Sequence, residues 1–212
     1  MKATDLWRTV AIVAMTVCVV FGGMLVKNKS AKHLEYLEMV RIHEAELKYW
    51  ENKSKLVTAV QDYITKVAPT SDLSAAALVD ECEEYCVDIK FALAQGELES
   101  HFGVAGLAAK TNSVWNVGAY TNKSFQEITR KFKYSHPNES IRPYLELLTT
   151  EYLTAGCEEE LLKKFVTHGG KRFATEPSYE ERLSYKYKTI SNQTQIDSLQ
   201  QQVRYWKVRS NR

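Results

Sequence analysis

The amino-acid sequence predicts a mainly α-helical protein, and two observations support this. Apolar residues recur at helical spacing in several segments, whereas Gly, Pro and Asn are concentrated between those segments. A chain of 212 residues that is 44% hydrophobic and 25% charged can form one globular domain with appendages. The clearest helical spacing is that of Leu56, Val60, Ile64 and Val67, and then of Ile141, Tyr144, Leu145, Leu148 and Tyr152.

The N-terminal segment is apolar enough to cross a membrane. Between Trp7 and Val26 the only charged residue is Arg8, and a helix of about 20 residues spans about 30 Å, the thickness of a bilayer core. The run is longer than a usual signal-peptide core, and no small-x-small cleavage site follows it. Residues 1–27 are therefore predicted to be an uncleaved transmembrane anchor. Lysines follow the run, so the positive-inside rule alone would leave the rest of the chain in the cytoplasm.

Residues 28–68 are predicted to form a long polar helix. Glu and Lys alternate around it, and its apolar stripe is broken at first and becomes cleaner from Leu56 onward. The pattern predicts a solvated stalk that holds a domain off the membrane. The alternative is a helix whose second half packs on that domain.

Pro69 ends this pattern, and residues 69–190 are predicted to form the globular domain. Helices are expected at about 74–87, 88–100 and 158–168, with others starting near Asn138 and at Ser178. Residues 104–137 are the least helical part. Residues 191–212 form a basic extension, which either contacts anionic wall polymer or lipid headgroups or is a frayed helix end.

Composition indicates few special partners. The formal net charge is only +2, and no nucleic-acid signature or Gly-rich phosphate loop is present. The four cysteines form no disulfide framework and lack the spacing of a zinc site, so buried thiols are the default interpretation. No metal or organic cofactor is implied.

The most informative segment is residues 94–103 (AQGELESHFG). It reads as the end of an amphipathic helix that carries Glu99 to a turn at Gly103, where glycine permits a backbone conformation that other residues resist. A half-buried glutamate at such an exit has a raised pKa and stays protonated near neutral pH, as a general acid requires. A solvated glutamate at a helix end is the alternative. Glu97 lies about 200° around the helix from Glu99 and is expected to be solvated.

Four segments in order resemble the bacterial glucosaminidase family, whose members are peptidoglycan hydrolases such as autolysins and the flagellar rod hydrolase. Residues 94–103 resemble its Ala-Gln-x-x-Leu-Glu-Ser-x-x-Gly signature, and residues 111–118 (TNSVWNVG) resemble its Asn-Asn-Leu-Phe-Gly-Ile segment. Residues 132–134 and 139–144 (FKY and ESIRPY) are similar to its Phe-Arg-x-Tyr and Glu-Ser-Ile-x-Asp-Tyr elements, and residues 172–179 (RFATEPSY) to its Tyr-Ala-Thr-Asp-Pro-x-Tyr motif. The chain departs from the family at His101, Phe102, Asn116 and Phe173, where the family usually has Gly, Trp, Gly and Tyr.

The resemblance implies a lysozyme-like fold, mainly α with a reduced β element, that cleaves the β-1,4 bond between N-acetylglucosamine and N-acetylmuramic acid. It makes Glu99 the general acid. Ser100 is expected to cap or pack the helix end. The expected cleft residues are Asn112, Trp115, Tyr120, Phe173 and Tyr179; Trp115 and Phe173 would stack on sugar faces, with core packing as the alternative for both.

The family's second carboxylate lies between its second and third motifs, where this chain has one acid, Glu127. Glu127 would activate water or orient the substrate's N-acetyl group. Glu139 is ranked below it, since an acid at a helix start is favoured by the helix dipole.

Two other functions stay open: a muramidase or lytic transglycosylase of lysozyme-like fold, and an inactive, membrane-anchored wall-binding or assembly protein. The expected partners are peptidoglycan strands and a membrane, without nucleic acid. The expected location is a single-pass membrane protein with its domain on the cell-wall side, from a bacterium or a phage.

Overall fold

The structure is a computed structural model that describes residues 3–117, 133–153, 157–167 and 169–211, with side chains described from residue 32 onward. As predicted, it is mainly helical. The described residues contain no β-strand, only one antiparallel bridge between Val166 and Arg172. The helices in chain order are α1 (Ala3–Val67), α2 (Ala75–Glu84), α3 (Ile89–Ser100), α4 (Ala108–Thr111), α5 (Ile141–Leu147), α6 (Glu158–Leu161), α7 (Tyr179–Gln193) and α8 (Ile196–Ser210); a 3-10 turn (Pro137–Ser140) precedes α5 and a π-helical turn (Leu148–Tyr152) follows it.

The predicted anchor, residues 1–27, lies outside the part of the chain whose side chains are described. A search of the described residues finds no helix that is both long and apolar enough to cross a membrane.

The chain forms two compact units, one of Met1–Tyr49 with Tyr205–Arg212 and the other of Trp50–Arg204. In the first unit, the described part of α1 exposes several large apolar side chains, and Arg209 lies over the ring of Tyr205 at 3.7 Å from its centroid. The exposed side chains are Leu34, Tyr36, Leu37, Met39 and Leu47.

In the second unit, the end of α1 is part of the core. Leu56, Val60 and Ile64 recur every four residues, so they share one helix face, and all three are buried. The burial of this face agrees with the second interpretation of residues 28–68, in which the second half of the helix packs on the domain. The compact unit therefore starts before the predicted boundary at residue 69.

Helix α3 occupies the centre of this unit. Asp88 caps its start by accepting a hydrogen bond from the Lys90 N–H at 2.8 Å, and every residue from Ile89 to Glu97 is buried. Helix α7 packs along it. The start of α8 is joined to α3 by Gln200, whose Oε1 accepts from the Ile89 N–H at 3.2 Å. Part of the predicted C-terminal extension is therefore core.

The prediction of a helix at 158–168 is confirmed only for its first turn, because α6 ends at Leu161. Phe165 is fully buried in a cluster of aromatic rings, where it stacks on Phe173 at 4.6 Å between centroids. Its carbonyl accepts from the Phe173 N–H at 2.9 Å, so the backbone here pairs across a turn instead of continuing the helix. The helix predicted near Asn138 is confirmed.

The three described cysteines are free. Cys82 is buried, as expected, but Cys86 and Cys157 are exposed, which corrects the expectation of buried thiols. These two occupy a turn after α2 and the position before α6, outside the helix faces that form the core.

Candidate active site

The end of α3 places Glu99 beside a sharp change of chain direction. His101, Phe102 and Gly103 all have positive φ, of 48°, 55° and 90°. The left-handed conformation therefore begins two residues before the glycine that was predicted to allow it. Ser100 stabilises this turn, since its hydroxyl donates to the Val114 carbonyl at 2.6 Å and accepts from the Gly103 N–H at 2.8 Å. Its predicted role in capping and packing is confirmed.

The Glu99 carboxyl group is half-buried and accepts hydrogen bonds from two neutral donors. The Tyr179 hydroxyl donates to Oε1 at 2.6 Å, and the Asn116 side-chain amide donates to Oε2 at 3.3 Å. Burial raises the pKa of Glu99 above its ordinary value, although the two hydrogen bonds and the charge of Arg182 act in the opposite direction. The carboxyl group thus retains a proton at higher pH than an exposed glutamate does.

Asn116 reaches Glu99 because of its backbone conformation. It has a φ of 51°, in the left-handed region where Asn is tolerated far better than most residues. Its amide nitrogen also donates to the Glu99 backbone carbonyl at 3.2 Å. The position where the family usually has Gly therefore carries, in this chain, a side chain that contacts the candidate acid.

A cavity of about 130 Å³ opens beside Glu99. Lys171 and Arg172 lie on its rim, where Arg172 pairs with Glu180, and Phe173 adds a half-buried aromatic surface. The cavity is lined by Glu99, Trp115, Asn116, Val117, Leu147, Tyr152, Lys171, Arg172, Phe173 and Ala174.

The predicted cleft residues separate into different environments. Tyr179 contacts Glu99 directly, and Phe173 lines the cavity. Asn112 instead donates its amide to the backbone carbonyl of Tyr134 at 3.0 Å and so holds a loop.

Trp115 was predicted to stack on a sugar face, but the structure buries it. Its side chain has no exposed surface: the indole lies flat against Tyr144 at 4.5 Å between centroids and donates to the Ala92 carbonyl at 2.9 Å. A Cβ atom at Gly96 would approach the indole nitrogen to 3.2 Å, so glycine is what allows this contact with α3. Core packing, the alternative role, is the one that the structure supports.

The prediction for Glu97 is also wrong. The sequence predicts a solvated side chain, but only 5% of the residue is exposed. Its carboxylate accepts from the Tyr63 hydroxyl and pairs with the Lys186 ammonium, each at 2.5 Å. The prediction assumes that one face of α3 meets solvent, whereas α1 and α7 cover that face.

The candidates for the second carboxylate are only partly described. Tyr120 and Glu127 lie outside the described residues. Glu139 is exposed and accepts hydrogen bonds from the Ser135 hydroxyl and backbone N–H, which lower its pKa. It does not line the cavity beside Glu99.

Sequence reasoning missed two residues that the structure brings to the site. Asn116 carried a signal, because it departs from the family pattern at a position that needs a positive φ. Gln95, which donates to the Tyr179 hydroxyl at 3.2 Å, carried none beyond its place in the first motif. Among the described residues, no group of three or more His, Cys, Asp and Glu side chains is arranged to hold a metal ion.

A carboxylic acid with a raised pKa, held by neutral donors at a helix end, has the properties of the general acid that glycoside hydrolases use. The comparison with protein families agrees with this class. The family model described as mannosyl-glycoprotein endo-beta-N-acetylglucosaminidase matches residues 75–196, more than half of the chain, and the protein therefore belongs to the glucosaminidase family. Membership supports a peptidoglycan-related glycosidase with a glycan substrate. No curated protein and no solved structure gives a significant match.

Proposed function

We propose that the protein is a peptidoglycan hydrolase that cleaves the β-1,4 bond between N-acetylglucosamine and N-acetylmuramic acid, with Glu99 as general acid. The observation that carries the proposal is the Glu99 carboxyl group itself, which is half-buried, has a raised pKa and borders a cavity. Family membership supplies the substrate class.

In this mechanism Glu99 protonates the leaving glycosidic oxygen while positive charge develops at the anomeric carbon. Burial raises the pKa of Glu99, so the carboxyl group keeps its proton to a higher pH than an exposed glutamate does. Once the proton has left, Tyr179 and Asn116 donate hydrogen bonds to the carboxylate, so the charged state is also stabilised. The same two donors thus serve both the acid and its conjugate base.

The substrate would enter along the rim formed by Lys171 and Arg172, with Phe173 against a sugar face. The cavity of about 130 Å³ is smaller than a typical ligand site of about 300 Å³ or more, so further residues are needed to complete the cleft. We include Tyr120 among them. The second unit is mainly helical, with one β-bridge among its described residues, which fits the proposed lysozyme-like fold with a reduced β element.

Mass spectrometry of borohydride-reduced digestion products tests the proposal. Purified sacculi treated with the protein should yield fragments with reduced N-acetylglucosamine at their ends. Reduced N-acetylmuramic acid ends would identify a muramidase, and 1,6-anhydro ends a lytic transglycosylase. A folded protein that binds sacculi and releases no fragments would be a wall-binding protein.

We propose Glu127 as the second catalytic carboxylate, since it is the one acid in the interval where the family places that residue. Glu127→Gln should lower turnover by about 100-fold or more with little change in sacculus binding. Glu139→Gln is the matched control and should change neither, because the Glu139 carboxylate is exposed and occupied by Ser135. The reverse result would make Glu139 the second acid. If neither variant loses activity, assistance by the N-acetyl group would replace a second carboxylate.

We further propose that residues 1–27 anchor the protein in a membrane, with the second unit on the cell-wall side. The run of apolar residues from Trp7 to Val26 supports this. After fractionation, the full chain should be found in the membrane fraction, and a chain that starts near Lys32 should be soluble and active on sacculi. Recovery of the full chain in the soluble fraction would contradict the anchor.

A further inference from the structure

A chain of hydrogen bonds leads from Glu99 into the core of the second unit. The Tyr179 hydroxyl donates to Glu99 Oε1 at 2.6 Å, and the Gln95 amide nitrogen donates to the Tyr179 oxygen at 3.2 Å. The Tyr144 hydroxyl in turn donates to Gln95 Oε1 at 2.8 Å. Three elements, α3, α5 and α7, thus contribute one member each between Glu99 and the core.

Both tyrosines keep their protons in this environment. Burial is the main cause that raises the pKa of Tyr179 and of Tyr144 far above the ordinary value for tyrosine. Each phenol therefore has a single O–H group and can donate only one hydrogen bond. Tyr144 is fixed in place by its stacking on Trp115.

Because each tyrosine can donate only one hydrogen bond, the hydrogen bonds from Tyr144 to Glu99 all point in the same direction. Because Tyr144 donates to the carbonyl oxygen of Gln95, the amide group of Gln95 must face Tyr179. Tyr179 then accepts from Gln95 and has its own proton left for Glu99. A reversed Gln95 amide would set its NH₂ group against Tyr144 and leave the Tyr144 proton without an acceptor among the described residues, at a cost of about 1–3 kcal/mol.

We propose that Gln95 is a positioning residue that fixes this direction, so that Tyr179 always donates to Oε1 of Glu99 and the transferable proton is carried by Oε2. An oxygen that accepts the short bond from Tyr179 is disfavoured as the protonated one. Among the residues that the structure describes, Oε2 accepts only the longer bond from Asn116, at 3.3 Å, and a carboxylic OH oxygen can still accept such a bond. The inference rests on the proposed role of Glu99 as general acid and assigns the acidic oxygen within it.

Within the described part of the chain, few charged and titratable groups lie around Glu99. Helix α7 contributes Arg182 and Tyr179, and Lys171 and Arg172 lie on the cavity wall, where Arg172 pairs with Glu180. The π-helical turn contributes Tyr152. The charge of Arg182 favours the carboxylate, and the variants below leave Arg182 in place.

Tyr144→Phe and Gln95→Met test the inference, because both changes are neutral and neither removes a contact of Glu99 itself. Phenylalanine retains the stacking on Trp115 but frees the Gln95 amide to reverse and to accept the Tyr179 proton. Methionine at position 95 removes the amide that donates to the Tyr179 oxygen, and without this hydrogen bond the Tyr179 O–H group is a weaker donor to Glu99. In both variants the Glu99 carboxylate is less stabilised, so its pKa rises.

Tyr187→Phe is the matched control. Tyr187 lies on the same helix as Tyr179, and its hydroxyl donates to Asp88 Oδ2 at 2.6 Å, outside the chain of hydrogen bonds to Glu99. Removal of this hydroxyl should lower stability without changing the titration of Glu99.

The measurement is the ¹³C NMR titration of the Glu99 carboxyl carbon in the full chain, assigned with Glu99→Gln. The midpoint should move up in both test variants and stay unchanged in the control. In parallel, the ratio of kcat/KM at about pH 8 to that at about pH 6 should rise at least about threefold in the test variants. A merely structural role would lower activity equally at both pH values.

An unchanged or lowered midpoint in both test variants would overturn the inference. Failure of the proposed function has a different signature, in which the wild-type protein releases no glycan fragments while the Glu99 midpoint still moves as described.

Discussion

Glu97 and Glu99 lie two residues apart near the end of α3 and occupy opposite kinds of environment. Glu97 is almost fully buried and is paired with the charged Lys186 and the Tyr63 hydroxyl. Glu99 is less buried and borders a cavity, and its hydrogen-bond donors in the described part of the chain are neutral groups. The Glu97 carboxylate is tied to partners on two other helices, whereas a carboxyl group with a raised pKa at a cavity can give its proton to a bound molecule. This difference in environment is why Glu99, and not Glu97, is the proposed general acid.

The largest effect is expected for Glu99→Gln, which retains the shape of the side chain and removes its proton. Activity on sacculi should fall by about two to four orders of magnitude, because the leaving oxygen would no longer be protonated. Circular dichroism and thermal unfolding should be close to those of the wild type. Retention of more than about a tenth of the activity would exclude Glu99 as the acid.

Glu97→Ala should lower the stability of the protein, whereas Glu99→Gln should lower its activity. It leaves the Lys186 ammonium and the Tyr63 hydroxyl without their partner, and since the Lys186 side chain is 32% exposed, we expect a loss of about 1–3 kcal/mol. Urea unfolding measures the change. Glu97→Gln is the matched control and should lose less, since its amide oxygen can still accept from Tyr63. A loss of activity without a loss of stability would give Glu97 the chemical role.

The smallest effect is expected for Asn116→Gly. Glycine adopts the φ of 51° without strain, so the change removes the amide donor while the backbone is retained. The hydrogen bond from Asn116 lowers the pKa of Glu99, and its removal raises that pKa. A general acid loses activity as the pH rises through its pKa, so the alkaline limb of the pH–activity profile should move to higher pH. A shift to lower pH would mean that Asn116 does not stabilise the carboxylate.

The contrast between the two acids also shows what the sequence could predict. The position of Glu99 followed from a local pattern, a helix that ends in a glycine-containing turn, and its proximity to Tyr179 from the order of the family motifs. The burial of Glu97 did not, because helical periodicity assumes one solvated face and the partners of Glu97 come from α1 and α7, 34 and 89 residues away in the chain.

Residues outside regular helices were harder still to predict. Asn116 contacts Glu99 only through a left-handed backbone conformation, which no residue spacing encodes. Trp115, which precedes Asn116, was expected to face sugar. Its burial depends on Gly96 and Tyr144 in distant segments. The family resemblance identified these positions but did not determine which way their side chains point.

The role of Glu99 as the proton donor is tested most directly by changing the leaving group of the substrate. Glu99→Gln and the wild-type protein would be compared on sacculi and on a dinitrophenyl β-glycoside of an N-acetylglucosamine oligomer, whose phenolate leaves without protonation. The variant should lose about two to four orders of magnitude in kcat on sacculi and less than about tenfold on the activated glycoside. Equal losses on the two substrates would contradict the assignment of Glu99 as the general acid.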